Sequence, residues 1–142
     1  MLFLFWEICG FSLDRTQVTE IKPHIDGQQI QFLGEANHQA KHKLLGGAFA
    51  TLFPVTWPEP FGLVMIESMV VGTPVIALAL GSTKEVIQDQ KTGFLCQNVG
   101  YCISALDRVK TLDRKACRDH VVSNFSASHM VDQYEAIYKK FS

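Results

Sequence analysis

TWPEPFGLVMIE, residues 56–67, joins a proline-rich loop to the start of an apolar helix. Each proline ring fixes its own φ and restricts the residue before it, so Pro58 and Pro60 hold Glu59 in a stiff loop. A helix start offers unpaired N–H groups and partial positive charge, which suit an anion such as a phosphate. Glu59 before that start and Glu67 inside the helix can both accept hydrogen bonds from hydroxyls. The stretch therefore predicts a pocket for a sugar nucleotide.

On both sides of this stretch, apolar runs alternate with helical patterns. The pattern predicts strand-like runs at 29–33, 48–53, 75–80 and 92–96, and helices at 37–45, 63–71, 99–109, 114–124 and 130–141. A short helix is also expected after Gly81, because Ser82 to Glu85 match a capping box in which Ser82 is the N-cap. The alternation indicates an α/β fold, a Rossmann-like open parallel sheet with crossover helices.

Ligands of such sheets bind at the carboxyl ends of the strands. The features that follow three of the predicted strands are Gly34, the loop 54–62 and Gly81. We therefore expect these three features to cluster at one edge of the sheet.

The composition limits the classes of protein to which the chain can belong. The chain of 142 residues fits one domain, predicted to span 1–142, and has 47% hydrophobic residues, 19% charged residues and a formal net charge of -1. These values are typical of a soluble globular protein and give no electrostatic reason to expect nucleic acid. The apolar start at 1–6 is too short for a membrane span and lacks the features of a signal peptide. We interpret it as a strand or as the edge of the domain, and we expect a cytoplasmic protein.

The cysteine and histidine spacings do not favour a metal site. His38 and His42 share a helix face, but they have no third ligand in the pattern. The cysteines follow neither a C-x-x-C nor a zinc-binding spacing, and we interpret them as free thiols in a reducing cytoplasm. They are Cys9, Cys96, Cys102 and Cys117. No metal or other cofactor is expected.

Taken together, the motifs resemble those of the donor-binding, C-terminal half of retaining glycosyltransferases with the GT-B fold, the glycosyl transferases group 1 family. The resemblance extends from about Ile21 to the C-terminus, and it rests on EPFGL at 59–63 with Glu67, GTPVIA at 72–77, Glu85, and TGFL at 92–95. The G-R and K-G motifs near the start of the family's donor domain have no match. The resemblance therefore implies that one or more N-terminal strands of the domain are missing.

The resemblance also implies roles for individual residues. Glu59, the predicted catalytic residue, would accept hydrogen bonds from hydroxyls of the transferred sugar. Glu67 would hold both ribose hydroxyls of the nucleotide, and Gly34 would lie near the base. The backbone N–H groups that would face the sugar and the diphosphate are those of Phe61, Gly62 and Leu63.

A complete protein of this family would transfer the hexose of a UDP- or GDP-sugar to an acceptor with retention of configuration. The implied partners are the nucleotide-sugar donor and an N-terminal acceptor domain, with no nucleic acid and no membrane span. Because the cationic motifs and the acceptor domain have no match, we expect no turnover from this polypeptide alone. Two alternatives stay open: a non-catalytic binding or scaffold module, and a sugar-nucleotide epimerase-like domain.

Overall fold

A computed structural model describes residues 22–34 and 36–141. The chain divides into two compact units, Met1–Leu44 and Leu45–Ser142. The strand predicted at 1–6 lies outside the described residues, as does Cys9.

In the first unit, the strand predicted at 29–33 is wrong. After a 3₁₀ turn at Lys22–His24, the Asp26 carboxylate accepts hydrogen bonds from the backbone N–H groups of Gln28, Gln29 and Ile30, at 2.8, 2.7 and 2.9 Å. These bonds lower the pKa of the Asp26 carboxyl, that from Ile30 most of all. The Asp26 side chain accepts hydrogen bonds from N–H groups that a sheet would use. The segment therefore forms a loop instead of a strand.

The first helix, α1, spans His38–Gly47. Its start is capped by Asn37, whose side-chain oxygen accepts a hydrogen bond from the Ala40 N–H at 2.9 Å. The helix predicted at 37–45 is confirmed, and it continues through Gly46 and Gly47.

The second unit contains a sheet of three parallel strands, β1 Thr51–Phe53, β2 Val75–Leu78 and β3 Gly93–Cys96, in the order β1-β2-β3. All four residues of β2 are buried, as expected for a central parallel strand with helices on both faces. The predicted open parallel α/β sheet with crossover helices is confirmed.

The helices divide the side chains of β2 into two cores. Helices α2 Leu63–Val70 and α5 Arg114–Asn124 pack together over one face, whose cluster contains Val75 and Ala77. Helix α4 Val99–Arg108 covers the other face, whose cluster contains Ile76 and Leu78. The alternation follows from the period of two in a strand, and it explains why β2 has no polar residue.

The remaining helices are α3 Thr83–Val86, a 3₁₀ turn at Val109–Thr111, and α6 Ala127–Tyr138. The helix predicted at 130–141 begins earlier, because Ser126 is its N-cap and accepts a hydrogen bond from the His129 N–H at 3.3 Å. The capping box predicted at Ser82 is wrong: Ser82 has helical φ and ψ and its side chain caps nothing. Within residues 22–34 and 36–141, no helix has the length and hydropathy that crossing a membrane requires.

Candidate functional site

The loop 54–62, which follows β1, is hydrogen-bonded to the segment that follows β2. The Ser82 N–H donates to the Glu59 carbonyl at 3.0 Å, and the Ser82 hydroxyl donates to the Phe61 carbonyl at 2.9 Å. The hydroxyl that would have capped α3 is therefore used to hold the neighbouring loop. These bonds bring Glu59 to the carboxyl edge of β2, where the topology predicted that the two segments meet.

Gly81 lets the same two segments approach each other. Its φ is +54°, and a Cβ atom built on it would lie 2.6 Å from the Glu59 carbonyl oxygen and 2.7 Å from the Glu59 nitrogen. Neither atom can move without moving the loop backbone. Only glycine fits where these two backbones touch.

Gly62 is the N-cap of α2 and has φ +73°. The surroundings of Gly62 explain why this position is a glycine. A Cβ atom at Gly62 would lie 2.7 Å from the Met65 Cε atom and 3.1 Å from the Phe53 Cζ atom. The left-handed φ and the nearby core side chains therefore favour glycine at this position. A consequence is that the start of α2 has no side-chain cap.

Glu59 is half-buried, and its carboxylate accepts a hydrogen bond from the Trp57 indole N–H at 3.1 Å. Trp57 itself is 58% exposed. This contact was not predicted. The signal that could have found it is the W-x-E spacing, which places an indole donor two residues from a carboxylate in a loop that the prolines stiffen. The bond restricts the orientation of the Glu59 carboxylate.

Glu67 lies in the second turn of α2 and is half-buried. The buried residues of this helix are Met65, Ser68 and Met69. Leu63, which is 63% exposed, lies on the opposite face, and Glu67 lies between the two faces. Helical side chains lean toward the N-terminus, so Glu67 extends over the turn that begins the helix. Helix geometry thus places the second predicted carboxylate on the Leu63 side of the uncapped helix start.

An aromatic contact connects this loop to the C-terminal helices. The rings of Phe61 and Phe125 meet edge to face, with centroids 6.2 Å apart, and Phe125 in turn contacts the ring of His120 at 5.5 Å. The His120 Nε2 atom lies 2.9 Å from the Val86 carbonyl oxygen, so the ring nitrogen that donates there is Nε2–H. The Phe61–Phe125 and His120–Val86 contacts join residues far apart in the chain, so no local pattern predicts them.

Gly34, the third predicted member of the edge, belongs to the first compact unit. It has φ +64°, and a Cβ atom built on it would meet nothing within 4 Å. Its predicted place near a base stays a prediction. Within the described parts of the chain, no three histidine, cysteine or acidic side chains group in a way that could hold a metal ion.

Comparison with known proteins gives consistent matches. The model of the family described as Glycosyl transferases group 1 matches residues 7–112. N-acetyl-alpha-D-glucosaminyl L-malate synthase of Bacillus anthracis is 32% identical over 123 residues, which cover 81% of this chain and 31% of that protein. The chain spans about a third of the length of the curated relatives that it matches.

The fold is also similar to that of solved structures. Sucrose-phosphate synthase from Thermosynechococcus elongatus superposes with a TM-score of 0.70 and 29% identity, covering 81% of this chain and 31% of its own. TarM superposes with a TM-score of 0.66 and 19% identity, covering 90% of this chain and 27% of its own, and this second likeness concerns the fold alone.

Proposed function

The chain belongs to the glycosyl transferases group 1 family and has a GT-B-type α/β fold, and we propose that its segment 54–82 binds a nucleotide-activated hexose, a UDP- or GDP-sugar. One observation carries the proposal. Two loops at the carboxyl edge of β1 and β2 hold Glu59 immediately before a helix start whose N-cap, Gly62, offers no side chain. Carboxyl edges of parallel strands and uncapped helix starts are the places where such folds bind phosphorylated ligands.

In this proposal, each part of the donor has its own partner. The backbone N–H groups of Phe61, Gly62 and Leu63 face the sugar and the diphosphate, and the positive end of the α2 dipole favours the phosphate charge. Glu59 accepts hydrogen bonds from the sugar hydroxyls, with its carboxylate oriented by Trp57. Glu67 accepts bonds from the ribose hydroxyls. Each hydrogen bond to a charged carboxylate contributes about 1.5–3 kcal/mol.

The proposed reaction is transfer with retained configuration, without a metal ion. Negative charge develops on the departing diphosphate, and N–H donors aimed at that charge stabilise the transition state. Positioning of the acceptor supplies a further part of the rate, of the order of 7–11 kcal/mol in favourable cases. We propose that the polypeptide of 142 residues binds the donor but does not turn it over alone. This part of the proposal is supported by coverage, since the chain matches only 31% of the Bacillus anthracis relative.

Isothermal titration of the protein with UDP and with GDP tests the site. We expect one of the two nucleotides to bind at millimolar concentration or below, and we expect Glu67→Ala to weaken binding roughly tenfold, the equivalent of one bond to a charged group. Glu135→Ala is the matched control, because Glu135 is an exposed glutamate on α6 that pairs with Lys139. The proposal is wrong if neither nucleotide binds, and equal affinity of Glu67→Ala for a nucleotide that does bind would show that Glu67 does not hold it.

A further inference from the structure

An exposed tryptophan lies beside Glu59 in the loop that follows β1. Trp57 is 58% exposed, and its indole N–H donates to the Glu59 Oε2 atom at 3.1 Å. Tryptophan is highly buried on average, because its large apolar ring favours contact over exposure to water. Given the proposed function, on which this step rests, we propose that the indole of Trp57 stacks against the pyranose ring of the transferred hexose. Trp57 is then the residue that makes a sugar nucleotide bind more tightly than the free nucleotide.

The backbone that carries Trp57 and Glu59 is held from both sides. Pro58 stands between the two residues, so its ring restricts the conformation of Trp57 as well as its own φ. Gly81 packs against the same stretch, where a Cβ atom built on it would lie 2.9 Å from the Pro58 carbonyl carbon. Two residues before the indole, Val55 packs against the core cluster that includes side chains of α2 and α5. The indole is therefore exposed on a stretch of chain whose position is fixed.

The hydrogen bond to Glu59 uses the edge of the indole and leaves much of its surface for a ligand. In the parts of the chain that the structure describes, no other aromatic ring packs on Trp57. The face of an indole carries partial negative charge, whereas the C–H groups of a pyranose ring carry partial positive charge. A sugar ring that lies flat on the indole therefore gains from electrostatic attraction and from the removal of apolar surface from water.

The same hydrogen bond divides the Glu59 carboxylate between the protein and the sugar. Oε2 accepts the indole N–H, and Oε1 is left to accept from a sugar hydroxyl. Because the indole nitrogen lies only 3.1 Å from one oxygen of this carboxylate, a hydroxyl on the other oxygen brings its ring beside the indole. The C–H face of the hexose then meets Trp57 while its hydroxyl edge meets Glu59. A diphosphate offers neither group, so the contact is specific to the sugar.

Isothermal titration with matched pairs of ligands tests the stacking contact. The pairs are UDP with UDP-glucose and GDP with GDP-mannose, and the ratio of affinities within a pair measures what the hexose contributes. We expect Trp57→Ala to weaken binding of the sugar nucleotide roughly tenfold and to leave the affinity for the free nucleotide unchanged, because only the hexose loses its apolar contact. Trp57→Phe keeps a flat ring without the N–H, and it should lose less than Trp57→Ala.

Phe49→Ala is the matched control for these titrations. Phe49 is an aromatic residue that is 48% exposed, and it precedes β1 at the opposite edge of the sheet, so its loss should leave every affinity unchanged. Circular dichroism checks that each variant is folded. If Trp57→Ala weakens the free nucleotide and the sugar nucleotide equally, the indole contacts the nucleotide or only supports the loop, and the proposal is overturned. No change for either ligand overturns it too.

Tryptophan fluorescence tests the contact without removing the indole. The chain has two tryptophans, so Trp6→Phe leaves Trp57 as the one that remains. We expect the sugar nucleotide to shift the emission of Trp57 to shorter wavelength, because the indole loses contact with water, and the free nucleotide to leave this wavelength unchanged. Equal shifts with both ligands, or no shift with a sugar nucleotide that binds, overturn the proposal.

The same titrations separate the two possible failures. If none of the four ligands binds, the proposed function and the stacking contact are both wrong. If a nucleotide binds but neither Trp57→Ala nor the fluorescence distinguishes it from its sugar nucleotide, the proposed function stands and the role of Trp57 is wrong.

Discussion

Left-handed φ angles occur at both ends of the sheet, but different kinds of residue adopt them there. At the carboxyl edge, the left-handed positions are the glycines Gly62 and Gly81, and at both a Cβ atom would collide with neighbouring protein atoms. At the amino end of β3, Gln90 has φ +61° and is the one left-handed residue other than glycine in the described parts of the chain. Gln90 is exposed, and its side chain accepts a hydrogen bond from Arg108 at 3.1 Å.

The contrast is between Gln90 and the two glycines and does not extend to every residue at the two edges, because Gly72 before β2 has φ +84° and its Cβ atom would lie 3.1 Å from the Arg114 carbonyl oxygen. A strained φ is tolerated at Gln90, where the side chain has space and a partner. The carboxyl edge restricts space as well as φ, because one loop backbone packs on another there. Such close packing fixes the position of Glu59, which is the condition that a binding site needs. Four substitutions test this contrast between the edges.

Gly81→Ala should have the largest effect. Its Cβ atom must displace the Glu59 backbone, and the left-handed φ adds strain, so we expect the free energy of unfolding to fall by about 3 kcal/mol. Urea denaturation followed by circular dichroism measures the change. Gly47→Ala is the control: Gly47 lies at the end of α1 with nothing within 4 Å of its Cβ position, and its substitution should leave stability equal or higher. Equal effects of the two substitutions would contradict the close approach at Gly81.

Gly62→Ala should cost less, about 1–2 kcal/mol, because φ strain is the larger part of its cost. The nearest atom to the new Cβ is the end of the flexible Met65 side chain, which can move aside. The same urea titration measures the loss. Gly46→Ala serves as the control, since its Cβ would meet only the Val71 Cβ atom at an ordinary 3.9 Å. Full stability of Gly62→Ala would mean that this helix start can adopt another conformation.

Ser82→Ala removes the hydroxyl bond to the Phe61 carbonyl and leaves the backbone bond to Glu59 in place. We expect a loss of about 1 kcal/mol, the usual contribution of one hydrogen bond. Ser104→Ala is the control, because Ser104 is exposed on α4 and bonds only to the Gly100 carbonyl of its own helix. If thermal unfolding shows the same midpoint for both variants, the Ser82 hydroxyl does not hold the loop.

Gln90→Gly should have the smallest effect and the opposite sign. Relief of the left-handed strain exceeds the entropy cost of glycine and the lost bond to Arg108 by a small margin, so we expect a gain of about 0.5 kcal/mol. Gln88→Gly is the matched control, because Gln88 is an exposed glutamine two residues away without positive φ. We expect this variant to have a lower free energy of unfolding. A loss of stability in both variants would show that the amino edge depends on the Gln90 side chain.

The elements of the second unit could be predicted because their patterns are local. The run 75–80 is apolar at every position, and β2 occupies its first four residues. The helix predicted at 114–124 has those bounds in the structure. The run 29–33 failed because the competing partner, the Asp26 carboxylate, lies outside the run and binds the N–H groups of residues 28–30. A periodic pattern gives no information about such a competitor.

The candidate site was predictable in part. Topology alone placed the loop 54–62 beside Gly81, and this juxtaposition is confirmed by the contacts of Gly81 with Glu59. The bond from Ser82 to Phe61 spans 21 residues, and the ring contact between Phe61 and Phe125 spans more, so neither leaves a local sequence signal. The ligand roles of Glu59, Glu67 and Gly34 stay predictions until nucleotide binding is measured.

The two bonds of Ser82 have a consequence for engineering. Residues 54–62 and 79–82 are separated by a helix and a strand, yet hydrogen bonds join them. A chimera that takes only the first segment from a relative would combine a foreign loop with a native anchor, and the foreign loop would have to bring its own backbone carbonyls to the Ser82 N–H and hydroxyl. An exchange of this part of the molecule between relatives should therefore transplant the two segments as a pair.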